Sequence, residues 1–297
     1  MSDTAAVVAP VALLALTRPL LGELLRPSDP ARLRRVATLL DQSVDAVILG
    51  VDLVTPEHPA TPSGAAGVAG AAGVAGVDPT IAAITLAHLT TRVGLIVTAA
   101  PHRDHPYNLA RRLASIDHAS LGRAGLLIAT RDSDAPAGSP WTASEPGDAA
   151  ADAVTAIREL LRSFPIDAIV GDRRSGVFAE SHHILAVDHR GAFNVTGPLQ
   201  VPWSPQVWPP VLAWFDAAGP VAMVADVVLT EHDSRFTLHR PAHLDELDEL
   251  LSAPLSAARR RGTTLRERLG LDPATPPTRG RAVFPNPAAQ VDRVSAS

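Results

Sequence analysis

The side chains best suited to chemistry lie in one stretch of the chain, residues 92–130. His105 and Tyr107, which belong to an HPYN run, offer an imidazole and a phenol that can exchange protons with a substrate. Thr98 and Thr130 each follow a short apolar run, and each adds a hydroxyl. We expect all four at one mouth of the fold, because α/β sheets bind ligands at the carboxyl ends of their strands.

The elements that must position these residues form a strand, a helix and a second strand. The apolar runs VGLIV (Val93–Val97) and AGLLIAT, which ends at Thr130, have the length of buried strands. The segment between them, NLARRLASIDHASLG, has the apolar spacing of an amphipathic helix and ends at Gly122. The HPYN run therefore falls in the loop after the first strand.

The same alternation runs through the rest of the chain. Asp29-Pro30 and Asp78-Pro79 mark helix starts, and the TTLRERLG segment begins with a capping pattern. Strands are predicted at 7–16, 45–52, 93–97, 124–130, 210–216, 221–230 and 235–240, and helices at 31–43, 80–91, 108–122, 149–164, 243–261 and 263–270.

Alternating strands and helices predict a parallel α/β fold with about seven strands. Strand spacing alone leaves two architectures open, a (β/α)₈ barrel and an open doubly wound sheet. We expect a single domain over residues 1–273. It contains a low-complexity Gly/Ala/Val loop at 55–77 and an irregular excursion at 166–209, and a flexible tail follows at 274–297.

Composition excludes several classes of function. The chain has 297 residues, 46% hydrophobic and 19% charged, with a net charge of −5, so no basic field draws nucleic acid. Cysteine is absent, which excludes disulfides and thiolate chemistry. The N-terminus lacks the flanks of a signal peptide or a membrane span, so a cytoplasmic protein is predicted. His182-His183 with Asp188 and His189 lack convincing ligand spacing, and no metal is predicted.

A family resemblance adds to this interpretation. HPYNLARRLASIDHASLGRAG resembles the luciferase-like flavin-dependent monooxygenases, in the branch of the nitrilotriacetate and dibenzothiophene-sulfone monooxygenases. The helix and strand before it, the excursion from 167 to 206 and the segment GTTLRERLGL are similar to the same family in the same order. The resemblance implies a TIM-barrel-like (β/α)₈ fold that binds FMN at the carboxyl ends of its strands.

The resemblance also assigns roles to residues. It implies that His105 and Tyr107 are catalytic and that the cofactor is bound by Asp52, Thr98, His105, Tyr107, Thr130 and Arg131. Structural alternatives stay open: Asp52 caps a segment, the threonines are merely good strand formers, and the loop of His105 only caps the next helix. Asp117 and His118 are expected to be structural, at the opposite face of a barrel.

The implied activity is oxidation of a small organic substrate by O₂ and reduced FMN, which a separate flavin reductase supplies, in a possible homodimer. Two departures favour alternatives. The turn WFDAAGP, where the family holds the FMN phosphate, lacks serine and carries Asp216, and the region of the family's seventh strand is missing. The alternatives are a catalytically degenerate flavin-binding chain or partner subunit of a complete paralogue, and a deazaflavin-dependent oxidoreductase.

Overall fold

A computed structural model describes residues 9–26, 28–54, 76–130, 146–214, 219–230, 233–256, 262–276 and 280–284. The strands of this part are β1 (Val11–Leu16), β2 (Ala46–Leu49), β3 (Gly94–Ala99), β4 (Ala124–Ile128), β5 (Ile169–Asp172), β6 (Val177–Ala179), β7 (Val187–His189), β8 (Val195–Gly197), β9 (Val211–Trp214), β10 (Val227–Leu229) and β11 (Phe236–His239). Its helices are α1 (Arg18–Leu24), α2 (Pro30–Ser43), α3 (Pro79–Leu89), α4 (Pro106–Ser120), α5 (Pro146–Leu161), α6 (Pro220–Val224), α7 (Leu244–Leu250) and α8 (Leu265–Arg268).

Seven parallel strands form one sheet in the order β10-β9-β4-β3-β2-β1-β11. The sheet curls into a nearly closed barrel, so that its two edge strands, β10 and β11, line the same cavity. This confirms the predicted incomplete barrel of about seven strands and excludes the open doubly wound sheet.

The gap lies between β10 and β11. In the described part of the chain, β10 pairs only with β9 and β11 only with β1. Residues 230–235 alone connect these two parallel strands, whereas a parallel crossover usually takes a dozen residues or more and includes a helix. One strand–helix unit is therefore missing at the place where the sequence lacks the family's seventh strand.

Two apolar layers hold the barrel together, because successive strand residues point to opposite faces. Inside the barrel, Leu13, Ile48, Ile96 and Leu127 pack in one cluster. Their neighbours along the strands pack outward against the helices in a second and larger cluster. Leu265 of α8 closes the amino-terminal end of the interior.

Local signals explain most helix boundaries. The side chains of Asp29 and Asp78 accept hydrogen bonds from the first turns of α2 and α3, as their Asp-Pro pairs predict. Thr264 and Glu267 form the reciprocal capping box of α8. The predicted strand at 221–230 is wrong in its first half, because Pro220–Val224 forms the short helix α6. The predicted helix at 243–261 is shorter, since α7 ends at Leu250.

The excursion before the barrel's fifth strand, β9, consists of two antiparallel hairpins, β5–β6 and β7–β8. His189 of β7 fixes the second hairpin to α5, with its ring nitrogens 3.0 Å from Asp152 Oδ1 and 3.2 Å from Glu159 Oε2. Part of the predicted tail reaches this region, where Leu185 forms a β-bridge with Ala282.

Three predictions fall partly or wholly outside the described residues: most of the loop at 55–77, the phosphate turn around Asp216, and Arg131. Within the described residues, none of the helices has the length and apolar character needed to cross a bilayer.

Candidate functional site

Thr98 lies at the carboxyl end of the barrel and points into it. Ile96 belongs to the interior cluster, and the two-residue period of a strand places Thr98 on the same face. The side chain is 2% exposed, and its Oγ1 has no hydrogen-bond partner in the described part of the chain. A buried hydroxyl without a partner costs free energy, so this atom marks a place where a ligand can bind.

His102, in the loop after β3, is the functional residue that sequence reasoning missed. It is 6% exposed, and its Nε2 lies 2.9 Å from the carbonyl oxygen of Thr130, which follows β4. The imidazole thus joins the ends of two neighbouring strands. Its Nδ1 is buried without a hydrogen-bond partner among the described residues. The only sequence signal was its position between Thr98 and His105, in the loop already expected to hold the site.

Asp52 lies at the ends of the first two strands, within a 3₁₀ turn at Val51–Leu53. Its carboxylate accepts hydrogen bonds from the backbone nitrogen of Arg18, at 2.8 Å, and from Nε of the same residue, at 2.7 Å. Because Arg18 is the first residue of α1, the carboxylate sits at a helix start, where negative charge is favourable. Asp52 is therefore at the predicted end of the barrel, engaged in an ion pair.

His105 caps α4. Its Nδ1 accepts a hydrogen bond from the backbone nitrogen of Tyr107 at 3.3 Å, and its ring meets Phe193 of the excursion edge-on, with centroids 6.0 Å apart. Burial lowers the pKa of His105, which favours the neutral ring that this accepting nitrogen requires. The capping role matches the structural alternative for this loop.

Tyr107 points toward the excursion as well. Its hydroxyl donates to the carbonyl oxygen of Pro198 at 3.4 Å, and its ring packs against the outer apolar cluster. The structure thus brings Thr98, His102 and Thr130 together at the ends of β3 and β4. It places His105 and Tyr107 between α4 and the excursion.

A cavity of about 330 Å³ opens at the gap between β10 and β11. Its walls are mostly apolar, and the guanidinium of Arg240 lies 4.8 Å from the centre of the Trp214 ring at the carboxyl end of the strands. The cavity is lined by Leu13, Trp214, Leu229, Thr230, Phe236, Leu238 and Arg240. Its volume and lining suit the apolar body of a small organic molecule.

The histidines considered for a metal are separated by the fold. His189 belongs to the α5 contact, whereas His182 and His183 lie on a 3₁₀ turn with Glu180. The ligand atoms of this trio lie within 4.8 Å of one another, and His183 Nδ1 is 3.4 Å from the Glu180 carboxylate. All three belong to the excursion rather than to the strand ends, and we assign them no function.

Asp117 and His118 lie at the opposite end of α4, as expected for structural residues. Asp117 is fully buried and accepts hydrogen bonds from the backbone of Ala124, at 3.0 Å, and from Gln206 Nε2, at 2.6 Å. His118 Nε2 lies 3.0 Å from the carbonyl oxygen of Pro202.

Comparisons with known proteins agree with this geometry. The family described as luciferase-like monooxygenase matches residues 27–268. One of the two kinds of chain of pristinamycin IIA synthase, from Streptomyces pristinaespiralis, is described as a subunit and is 31% identical over 65% of this chain and 77% of its own length. Dibenzothiophene-sulfone monooxygenase of Rhodococcus erythropolis is 35% identical over 46% of this chain, but over only 31% of its own length.

Among solved structures, DmoA from Hyphomicrobium sulfonivorans superposes with a TM-score of 0.55 and 23% identity, covering 75% of this chain and 52% of that protein. At this identity the match concerns the fold alone. The chain thus spans about a third to a half of the longer relatives, and most of the synthase subunit from Streptomyces.

Proposed function

We propose that this chain, which belongs to the luciferase-like monooxygenase family, binds reduced FMN at the carboxyl ends of its strands and uses O₂ to oxidise a small organic substrate. The observation that carries the proposal is Thr98, a buried hydroxyl at the barrel mouth without a partner among the described residues. The residues at this end fit a polar ring system, because they offer hydroxyl, imidazole and backbone groups within an apolar wall.

Several residues of this chain would hold the cofactor. Thr98 would donate its hydroxyl proton to a ring carbonyl, and Thr130 would line the neighbouring strand end. Asp52 would contribute through its ion pair with Arg18, which keeps both charges at the edge of the barrel. We also retain Arg131 as a proposed phosphate contact from the sequence resemblance.

Bound reduced flavin would supply the electrons and the reactive centre for O₂. The chain itself would orient the substrate and exclude water with the apolar barrel wall. His105 and Tyr107 remain proposed contacts of the substrate, held in place by their bonds to the start of α4 and to Pro198. The cavity beside Trp214 would receive the apolar part of the substrate.

The proposed partners follow from this chemistry. A separate flavin reductase would deliver reduced FMN, and the protein would work in the cytoplasm, with a homodimer as the proposed assembly. Deazaflavin is the less favoured cofactor, and it would use the same barrel end.

A spectroscopic titration tests the cofactor. Addition of FMN to the purified protein should shift the flavin's visible spectrum and saturate. Thr98→Val should weaken binding about tenfold, as expected for the loss of one buried hydrogen bond. The matched control is Thr85→Val, because the Thr85 hydroxyl only donates to the Ile81 carbonyl on the exposed surface of α3. Absence of FMN binding at tens of micromolar would refute the proposal.

A second candidate is a non-catalytic subunit of a complete paralogue. Two observations favour it: the unpaired edges of β10 and β11, and the large share of a relative described as a subunit that this chain covers. Oxygen consumption with a flavin reductase distinguishes the candidates. A chain that binds FMN tightly but consumes no O₂ above the reductase background supports the non-catalytic role, whereas substrate-dependent O₂ consumption by the chain alone refutes it.

A further inference from the structure

We propose that His102 is a cofactor-recognising residue: its Nδ1 accepts a hydrogen bond from a ring N–H of the bound flavin, beside a carbonyl that receives the Thr98 hydroxyl. The inference rests on the proposed flavin function and deepens it. It names a residue that neither the motif resemblance nor the predicted site included.

The protonation state of His102 follows from its partner. The carbonyl oxygen of Thr130 can only accept a hydrogen bond, so Nε2, at 2.9 Å, must carry the hydrogen. In the neutral imidazole the other nitrogen is then a bare acceptor. This acceptor, Nδ1, is buried and has no partner among the described residues. The tie to Thr130 also fixes the ring between the ends of β3 and β4.

Two unpartnered polar atoms within five residues of chain are costly. Thr98 and His102 are 2% and 6% exposed, so water does not readily replace the missing partners. Each unsatisfied buried group costs about 1–3 kcal/mol. The buried polar residues at the other end of the barrel, such as Asp117, do have partners. A ligand that satisfies both atoms explains why this end differs.

The two atoms together specify the ligand chemistry. Nδ1 needs an N–H donor, and the Thr98 hydroxyl can donate to a carbonyl. An N–H flanked by carbonyls is the imide edge of the flavin ring, and deazaflavins carry the same edge. The pair therefore recognises the ring system through a feature that both cofactors share, independently of the phosphate.

Two substitutions separate recognition from structure. In His102→Gln the side-chain amide nitrogen can take the place of Nε2 and keep the bond to Thr130, while no acceptor remains at the Nδ1 position. In His102→Asn the amide oxygen can take the place of Nδ1, while the bond to Thr130 is lost. The matched control is His118→Gln, because His118 makes the same kind of bond, to Pro202, at the far end of α4.

The probes are FMN and its N3-methyl derivative, titrated by visible absorbance against the folded full-length protein. The wild type should prefer FMN by about tenfold, the value of one good buried hydrogen bond. His102→Gln should lose that preference by weakening FMN alone, His102→Asn should partly restore it, and His118→Gln should keep it. A merely structural His102 would weaken both ligands equally and leave their ratio unchanged.

The outcomes separate this inference from the function beneath it. If the wild type binds both compounds equally, or His102→Gln retains the preference, His102 does not recognise the ring and the proposed flavin function stands. If the wild type binds neither FMN nor a deazaflavin, both the function and this inference are overturned.

Discussion

The two ends of the barrel treat buried polar groups in opposite ways. At the amino-terminal end, Asp117 and Gln206 bond to each other and to the start of β4, and Gln206 also accepts from the backbone of Arg266 in α8. At the carboxyl end, Thr98 and His102 each keep a buried polar atom without a partner among the described residues. The satisfied end holds the fold together, and the unsatisfied end is available to a ligand.

Arg123 shows how completely the amino-terminal end is bonded. Its buried guanidinium donates five hydrogen bonds, to the carbonyls of Ser120, Val93, Ala87 and Thr90 and to the Thr90 hydroxyl. These bonds connect α3, β3 and α4. The same helix, α4, thus ends in a bonded network and begins beside the proposed ligand site.

The largest expected effect is at Asp117. Asp117→Ala should lower the free energy of unfolding by about 4 kcal/mol, because the donors of Ala124 and Gln206 remain buried without an acceptor. Urea denaturation measures it. Asp104→Ala, which removes only the partly exposed ion pair with Arg112, should cost less than about 1 kcal/mol. Equal effects of the two substitutions would contradict the difference between the ends.

The packing of the amino-terminal end gives the next effect. A Cβ at Gly94 would lie 2.6 Å from Leu265 Cδ1 and 2.9 Å from the Ala46 Cβ. Gly94→Ala should therefore destabilise the protein by about 2 kcal/mol. In a double-mutant cycle, Leu265→Ala should relieve part of this cost, since it removes the clashing atom. Strict additivity would mean that α8 does not close the barrel there.

Asp41, in α2, connects this end to pH. Burial would raise the pKa of its carboxyl, but the backbone N–H groups of residues 91–93 donate to it and lower the pKa below the ordinary 3.8. A lowered acid pKa stabilises the folded state above the unfolded pKa, and this contribution is lost as pH falls through the folded pKa.

Asp41→Asn should therefore cost about 1.5 kcal/mol at neutral pH. The difference between wild type and variant should shrink as the pH of urea denaturation is lowered from about 5 to about 3. A difference that stays constant over this range would show that the carboxylate charge contributes nothing.

The smallest effect has the opposite sign and lies at the carboxyl end. Thr98→Val should leave the stability of the protein without cofactor unchanged or raise it by up to about 1 kcal/mol, because the substitution removes an unpartnered hydroxyl. Thermal unfolding without flavin measures this. A clear destabilisation would mean that the hydroxyl already has a structural partner, and the contrast between the two ends would weaken.

Local sequence signals predicted much of this fold. Asp29, Asp78 and Thr264 cap their helices as predicted, since a cap needs only neighbouring residues. The strand at 221–230 was predicted incorrectly in part, because its first residues, VAMV, are equally apolar in a helix turn after a proline. The missing seventh strand was visible in the sequence as the short distance from Thr230 to Phe236.

The sequence by itself determined the alternation of strands and helices, the family and the stretch that holds the site. Only the tertiary structure decided which side chains there have partners. His105 was the more prominent imidazole in the sequence, yet it caps α4 beside Phe193. His102 is held by a carbonyl 28 residues away, on a neighbouring strand. Periodicity and spacing do not encode such a long-range hydrogen bond, because strand pairing creates it.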